Sequence, residues 1–149
     1  AAFGLLVWFR RRRRDRWAGW SRRARRAVGA VAREGRRLGP AYDPVVAAAA
    51  ELGELAEKVR AHALEISRSR ERIEGVGTEA VARRDELDGE TQVAEARMEA
   101  LVSRLEGVAA RLAAEVAGHA KVDSLDDGLG ALGRELEVAL VSDREARST

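Results

Sequence analysis

The chain contains no cysteine, which excludes disulfide cross-links, thiol nucleophiles and cysteine-based zinc sites. Proline is confined to Pro40 and Pro44, so no proline interrupts a helix beyond residue 44. Aromatic residues are few, and the last of them is Tyr42. Any core assembled after that point must be aliphatic, without the large buried area that Phe, Tyr and Trp supply. Lysine occurs only as Lys58 and Lys121, and histidine only as His62 and His119. The two histidines are far apart, and no His-x-x-x-His or Glu-x-x-His pair exists to hold a metal on one helical face. Gly128, Gly130 and Gly133 have the G-x-G-x-x-G spacing, but nothing strand-like precedes them and no Gly-Lys-Ser/Thr follows. No catalytic residue, metal ligand, cofactor or small-molecule substrate is assigned, and the chain is not read as an enzyme.

What is present is the material of long helices: alanine, glutamate, arginine, leucine and valine. No strand pattern appears. The preference for arginine over lysine, with so much alanine and glycine, fits a GC-rich bacterial genome.

From Val45 an apolar line recurs every seventh residue through Leu52, Val59, Ile66, Ile73, Ala80, Leu87, Ala94, Leu101, Val108, Val122, Leu129 and Leu136, and only Glu115 breaks it. A beat of seven keeps one seam of a helix against a partner helix. A second line lies four residues on: Ala49, Ala56, Ala63, Arg70, Gly77, Arg84, Thr91, Met98, Leu105 and Leu112. Its arginines are expected to lie along the seam by their stems, with their heads in water. Beyond Val116 the companion line shifts to Leu125, Leu132 and Ala139, so the seam re-phases near there. Gly118 to Asp127 is the expected break, with Ser124 placed to cap a new helix. The heptad phase survives Gly75 and Gly77, which favours one helix through that point. The competing fold is an antiparallel hairpin or three-helix bundle with turns near residues 76 and 122. As one helix, Tyr42 to Ala146 would reach about 157 Å. Arg83 and Asp88 stand at positions where they could bridge two parallel chains, whereas Glu90 and Glu95 would repel, so the pairing direction is open.

The N-terminal part differs. The chain opens with an apolar run ending at Trp8 and Phe9, followed by Arg10 to Arg14 without interruption. The nine apolar residues span about 13 Å as a helix, less than half of a bilayer core of about 30 Å. They read as the end of a longer apolar segment, and aromatics followed by arginines fit a membrane exit on the cytoplasmic side. The order is wrong for a signal peptide, whose basic cluster precedes its apolar run. Between Arg10 and Arg37 stand thirteen arginines against Asp15 and Glu34, a net of +11; the rest of the chain holds fourteen basic and twenty-three acidic residues, a net of −9. Trp17, Trp20, Ala24, Ala27, Val28, Val31 and Leu38 form an apolar stripe among these arginines. A basic amphipathic helix bearing tryptophans reads as one lying along a membrane surface, and its rival is a helix packed on a neighbour through those tryptophans. Gly39-Pro40 ends the segment, and Asp43-Pro44 starts the next, with Asp43 as N-cap. A basic region ahead of a coiled coil also invites comparison with basic zippers. In those the helix is uninterrupted, whereas Gly35, Gly39, Pro40 and Pro44 intervene here, and the region lacks Asn and Gln for adenine contacts.

These readings combine into an all-α expectation. A membrane-proximal basic helix precedes a long heptad-patterned coiled-coil helix, or that helix folded into a hairpin or three-helix bundle. The segments are residues 1–9 as the end of an apolar, transmembrane segment; 10–40 as an arginine-rich juxtamembrane segment; 41–117 as the coiled-coil helix; 118–127 as a break; 128–146 as a C-terminal helix; and 147–149 as a tail. Expected contacts with membrane or anionic lipid are Trp8, Phe9, Arg10, Arg11, Arg12, Arg13, Arg14, Trp17, Trp20, Arg22, Arg23, Arg25 and Arg26. Expected helix–helix contacts are Leu52, Val59, Ile66, Ile73, Leu87, Met98, Leu101, Leu105, Val108, Leu112, Leu129 and Leu136. The layout resembles that of single-pass bacterial coiled-coil proteins. It implies a scaffold or spacer on the inner membrane with its helical arm in the cytoplasm, and with an anionic membrane surface and itself or another helical protein as partners. The alternatives are a signalling stalk, as in chemoreceptor-like proteins, and an arginine-driven nucleic-acid binder.

Overall fold

The computed structural model describes residues 2–118 and 122–148, with side chains outside the description at 2, 3, 5, 6, 9, 10, 15, 122–129, 147 and 148. Helix α1 (Ala2–Leu38) stops where Gly39 takes a φ of 109°, a left-handed value that favours glycine, and where Pro40 brings no N–H. One 3-10 turn (Pro40–Tyr42) leads into α2 (Asp43–Glu71). The cap there differs from the expectation. Tyr42 holds the N-cap position without a side-chain bond to the helix's first N–H groups, and Asp43 is instead the acidic residue of the first turn, where a carboxylate complements the helix dipole. Helices α3 (Thr78–Ala117) and α4 (Val122–Ser148) complete the chain. The later break is shorter than 118–127: α4 has begun by Val122, which puts Ser124 inside the helix rather than before it, while His119 and Lys121 lie outside the described residues.

The larger correction is at residues 72–77. No helix continues through Gly75 and Gly77; α2 ends at Glu71, the chain turns, and α3 begins at Thr78. Gly75 has a φ of 91°, a conformation that costs other residues roughly 1–2 kcal/mol. Arg84 Nη2 donates to the carbonyls of Ile73, at 3.1 Å, and Gly75, at 2.6 Å. Arg70 Nε and Nη2 donate to the two carboxylate oxygens of Asp88, at 2.7 and 3.2 Å, and tie α2 to α3 beside the turn. The two arginines of the second heptad line therefore stitch the turn. The seven-residue phase crosses it unbroken, but each limb of a hairpin needs only its own stripe.

The most extensive contacts join α1, α2 and α3 in an up-down-up bundle. Ser21 meets Glu57 and Gly35 approaches Val46, so α1 and α2 are antiparallel. Arg16 and Arg23 meet Glu95 and Glu106, so α1 and α3 are parallel. Helix α4 runs back along the α2–α3 hairpin, chiefly on α2, and its Asp143 and Glu135 meet Arg97 and Arg111 of α3.

Both heptad lines supply the core. Val45, Ala49, Leu52, Ala56, Val59, Ala63 and Ile66 are buried on α2, and Leu87, Thr91, Ala94, Met98, Leu101, Leu105, Val108 and Leu112 on α3. Each large aliphatic among them stabilises the fold by about 1.5–3 kcal/mol through burial. Leu132, Leu136 and Ala139 extend the core onto α4, and Trp17, Trp20, Ala24, Ala27 and Val31 onto α1. A β-carbon at Gly35 would stand 2.5 Å from Val46 Cγ2, and one at Gly53 2.9 Å from Val28 Cγ2. These two glycines lie within helices and let α1 and α2 approach closely. Glu115, the polar break in the seam, accepts a hydrogen bond from the hydroxyl of buried Tyr42 at 2.7 Å. That bond fastens the α1–α2 turn to the end of α3. Buried Thr91 satisfies its own hydroxyl on the carbonyl of Leu87.

Candidate functional site

Helix α1 divides at Trp17. No described side chain before it is buried: Val7 and Trp8 are about half exposed, and Arg11, Arg12, Arg13, Arg14 and Arg16 are open to solvent. Residues 2–16 thus carry the helix about 22 Å ahead of Trp17, and every side chain described there is exposed. The Arg12 guanidinium stands over the Trp8 ring, 4.5 Å from its centroid, an arrangement that favours a cation at the edge of an apolar surface. Phe9 and Arg10, assigned to the same group, have side chains outside the described residues.

From Trp17 onward the expected lipid-facing set is corrected. Trp17 and Trp20 are 6% and 9% exposed and belong to the bundle core. Their rings meet edge to face with centroids 5.0 Å apart. The apolar stripe of the basic helix packs against α2 and α3, so these tryptophans face the bundle core. The arginines beside them separate by position. Arg23 Nε and Nη2 donate to the Glu106 carboxylate, and that hydrogen bond holds the Arg23 guanidinium above its ordinary pKa. Arg25 Nε donates to the Ser21 carbonyl at 3.4 Å. Arg16 pairs with Glu95 and lies 5.4 Å from the Trp20 ring centroid. Arg22 and Arg26 point to solvent and have no ion pair among the described residues. The acidic excess after residue 42 was the signal for these pairs, because a basic helix beside an acidic hairpin has its counter-charge within reach.

A further polar cluster lies between α1 and α2. Ser21 has no exposure; its hydroxyl donates to Glu57 at 2.9 Å and accepts from Arg60 at 3.2 Å. Sequence pattern did not single out Ser21, since a serine on an apolar stripe carries no periodic signature.

The expected helix–helix residues meet one another within the one chain. Leu52, Val59, Ile66, Leu87, Met98, Leu101, Leu105, Val108, Leu112 and Leu136 are buried. Ile73 is half-buried in the turn and belongs to neither helix, and the side chain of Leu129 lies outside the described residues. Val102, off both heptad lines, is also fully buried. Within the chain Arg83 pairs with Glu86 on its own helix, and Asp88 with Arg70.

Two shallow grooves flank the hairpin. One, about 440 Å³, is lined by Arg25, Val28, Ala50, Gly53, Glu54, Glu57 and Lys58; the other, about 510 Å³, by Lys58, Val59, His62, Glu90, Val93, Ala94 and Arg97. Among the described residues no three His, Asp or Glu side chains gather as a metal site, and no helix is long and apolar enough to cross a membrane. Comparison with protein families, curated proteins and solved structures finds no match.

Proposed function

We propose that this chain is a membrane-associated helical scaffold. The first turns of α1 seat in the bilayer interface, and the bundle is held beside the membrane on the cytoplasmic side. The observation that carries this reading is the contrast within α1. Val7, Trp8 and Arg11 to Arg14 are exposed on a helix whose later tryptophans are buried. An exposed tryptophan and valine cost free energy in water, and the adjacent guanidiniums attract anionic headgroups by about 1 kcal/mol each. The described part of the apolar segment reaches less than half the bilayer core, so seating at the interface is the role proposed for these residues. The heptad seam is occupied within the chain, which leaves the outer helix faces for a partner protein.

Vesicle flotation of the full chain beside a chain lacking residues 1–16 tests the reading. The cut stops before Trp17 because residues 17–38 belong to the core. Loss of flotation on removing the extension supports the anchor, and equal flotation of the two proteins refutes it.

A further inference from the structure

Six side chains of α1 share one face: Trp8, Arg11, Arg22, Arg26, Arg33 and Arg36. Their spacings of 3, 11, 4, 7 and 3 are whole helical repeats, which keeps them within a narrow arc. That arc lies opposite the buried line of Trp17, Ala24 and Val31, and all six are exposed. Because α1 is one uninterrupted helix, they form a straight ridge about 42 Å long. The five arginines have no ion pair among the described residues, whereas Arg16 and Arg23, on the flank, are paired with α3. Asp15 is the one acidic residue in the same register. Between the arginines stand Gly19 and Gly29, with no heavy atom within 4 Å of where a β-carbon would be, so the backbone itself can approach a flat surface.

We propose that the bundle docks side-on to an anionic phospholipid surface through this whole outer face of α1, rather than standing upright on its N-terminal tip. The inference rests on the membrane reading above and adds the orientation and the headgroup chemistry. Charge complementarity supports it. The ridge is basic, while the remainder of the chain outside residues 10–37 carries a net of −9 and is repelled from the same surface. A flat bilayer meets all six side chains at once. A duplex curves away from a straight helix of this length, and the face offers no Asn or Gln to read a base.

The test uses the full chain with vesicles of pure phosphatidylcholine and of phosphatidylcholine containing about one-third phosphatidylglycerol. Changing Arg22, Arg26 and Arg33 together to Glu leaves residues 1–16 intact. It should weaken partitioning onto the anionic vesicles by at least about a hundredfold. Changing Arg68, Arg72 and Arg144 to Glu alters net charge equally but off the ridge, and should weaken it less than about threefold, since exposed charges farther than about 10 Å from the surface are screened. A second measurement does not depend on the charge-reversed protein folding. The chain has no cysteine, so Gly29→Cys and Val138→Cys each place one fluorophore, on the ridge and on the outer side of α4. Side-on docking shifts the emission of the first to the blue on anionic vesicles and leaves the second unchanged. If wild type floats but the ridge variant binds equally, or the Gly29 probe does not shift, side-on docking is overturned and the tip anchor survives. If wild type binds neither vesicle, both fall. If a labelled DNA duplex displaces the vesicles and loses its own binding in the ridge variant, the partner is nucleic acid and the lipid proposal is overturned.

Discussion

At the end of the bundle holding the α1–α2 turn, Val31, Val45, Leu52, Leu105 and Leu112 are fully buried, and Tyr42 bonds to Glu115. At the end holding the α2–α3 turn, the same heptad lines carry Arg70, Gly77 and Arg84, and the contacts are guanidinium to carboxylate and guanidinium to carbonyl. The start of α1, whose described side chains before Trp17 are all exposed, belongs to this second end. The base is thus held by burial, which is worth kilocalories per side chain. At the tip burial is limited to Ile66 and Leu87, and half-exposed ion pairs, whose contribution is about 0–1 kcal/mol each, take a larger share. Stability should therefore be graded along the bundle axis, with Trp8 and Arg11 at the weaker end and Arg33 and Arg36 at the stronger one.

The steepest test of that gradient is a cavity at the base. Leu105→Ala should cost about 2–5 kcal/mol in denaturant unfolding, since the side chain has no exposure and belongs to the core cluster. Trp8→Ala, a larger truncation on the unburied extension, should leave unfolding within about 0.5 kcal/mol of wild type while weakening vesicle flotation. A comparable loss of stability from both changes would remove the division of α1 at Trp17.

Next in size is Tyr42→Phe, which strips the hydroxyl from Glu115 and should cost about 1–2 kcal/mol. Adding Glu115→Leu to it restores an apolar heptad position. The double variant should recover part of the loss, because both sides of the Tyr42–Glu115 hydrogen bond are then apolar. If the double variant is less stable than Tyr42→Phe alone, the Tyr42–Glu115 contact is not what fastens the base.

The Tyr42–Glu115 contact also shows where the sequence was legible. Away from the α2–α3 turn both heptad lines are buried on α2 and α3 as their periodicity required, and the re-phased line brings Leu132 and Ala139 of α4 into the core. The exception at Glu115 was visible as an exception, but its reason lies across the bundle at Tyr42, a partner that no local pattern specifies. Continuity through Gly75 was misread because a heptad count tests which side of a helix is apolar, not whether the helix is straight. Ile66 and Leu87 keep the same phase on two antiparallel limbs. Arg70 and Arg84 looked like tolerated seam arginines and are turn residues, since their targets exist only once the chain has doubled back. The tryptophans gave the same pattern at Trp8 and at Trp17 and Trp20. Only the presence of α2 and α3 beside the later pair distinguishes the core-facing tryptophans from the exposed one.

Gly75→Ala should cost about 1 kcal/mol, because the left-handed backbone there disfavours a β-carbon while open space surrounds it. The loss should be confined to the tip, seen as faster amide exchange around residues 66–91 with the base unchanged.

The smallest effect expected is that of the clasp beside this turn. The hydrogen bond to Asp88 holds the Arg70 guanidinium above the ordinary arginine value. A pKa raised in the folded state gives stability that is present below the unfolded value and is lost as pH rises through the folded one. Both values lie beyond the neutral range, so titration of Arg70 leaves the clasp intact between about pH 6 and 9. Arg70→Ala should then cost no more than about 1 kcal/mol, by the same amount at either pH, and less in high salt, since Arg70 and Asp88 are both partly exposed. Equal amide-exchange rates at the tip and the base in this variant would show that the clasp does not set the tip's stability. Faster exchange at the tip alone would show that two half-exposed residues hold the hairpin end closed.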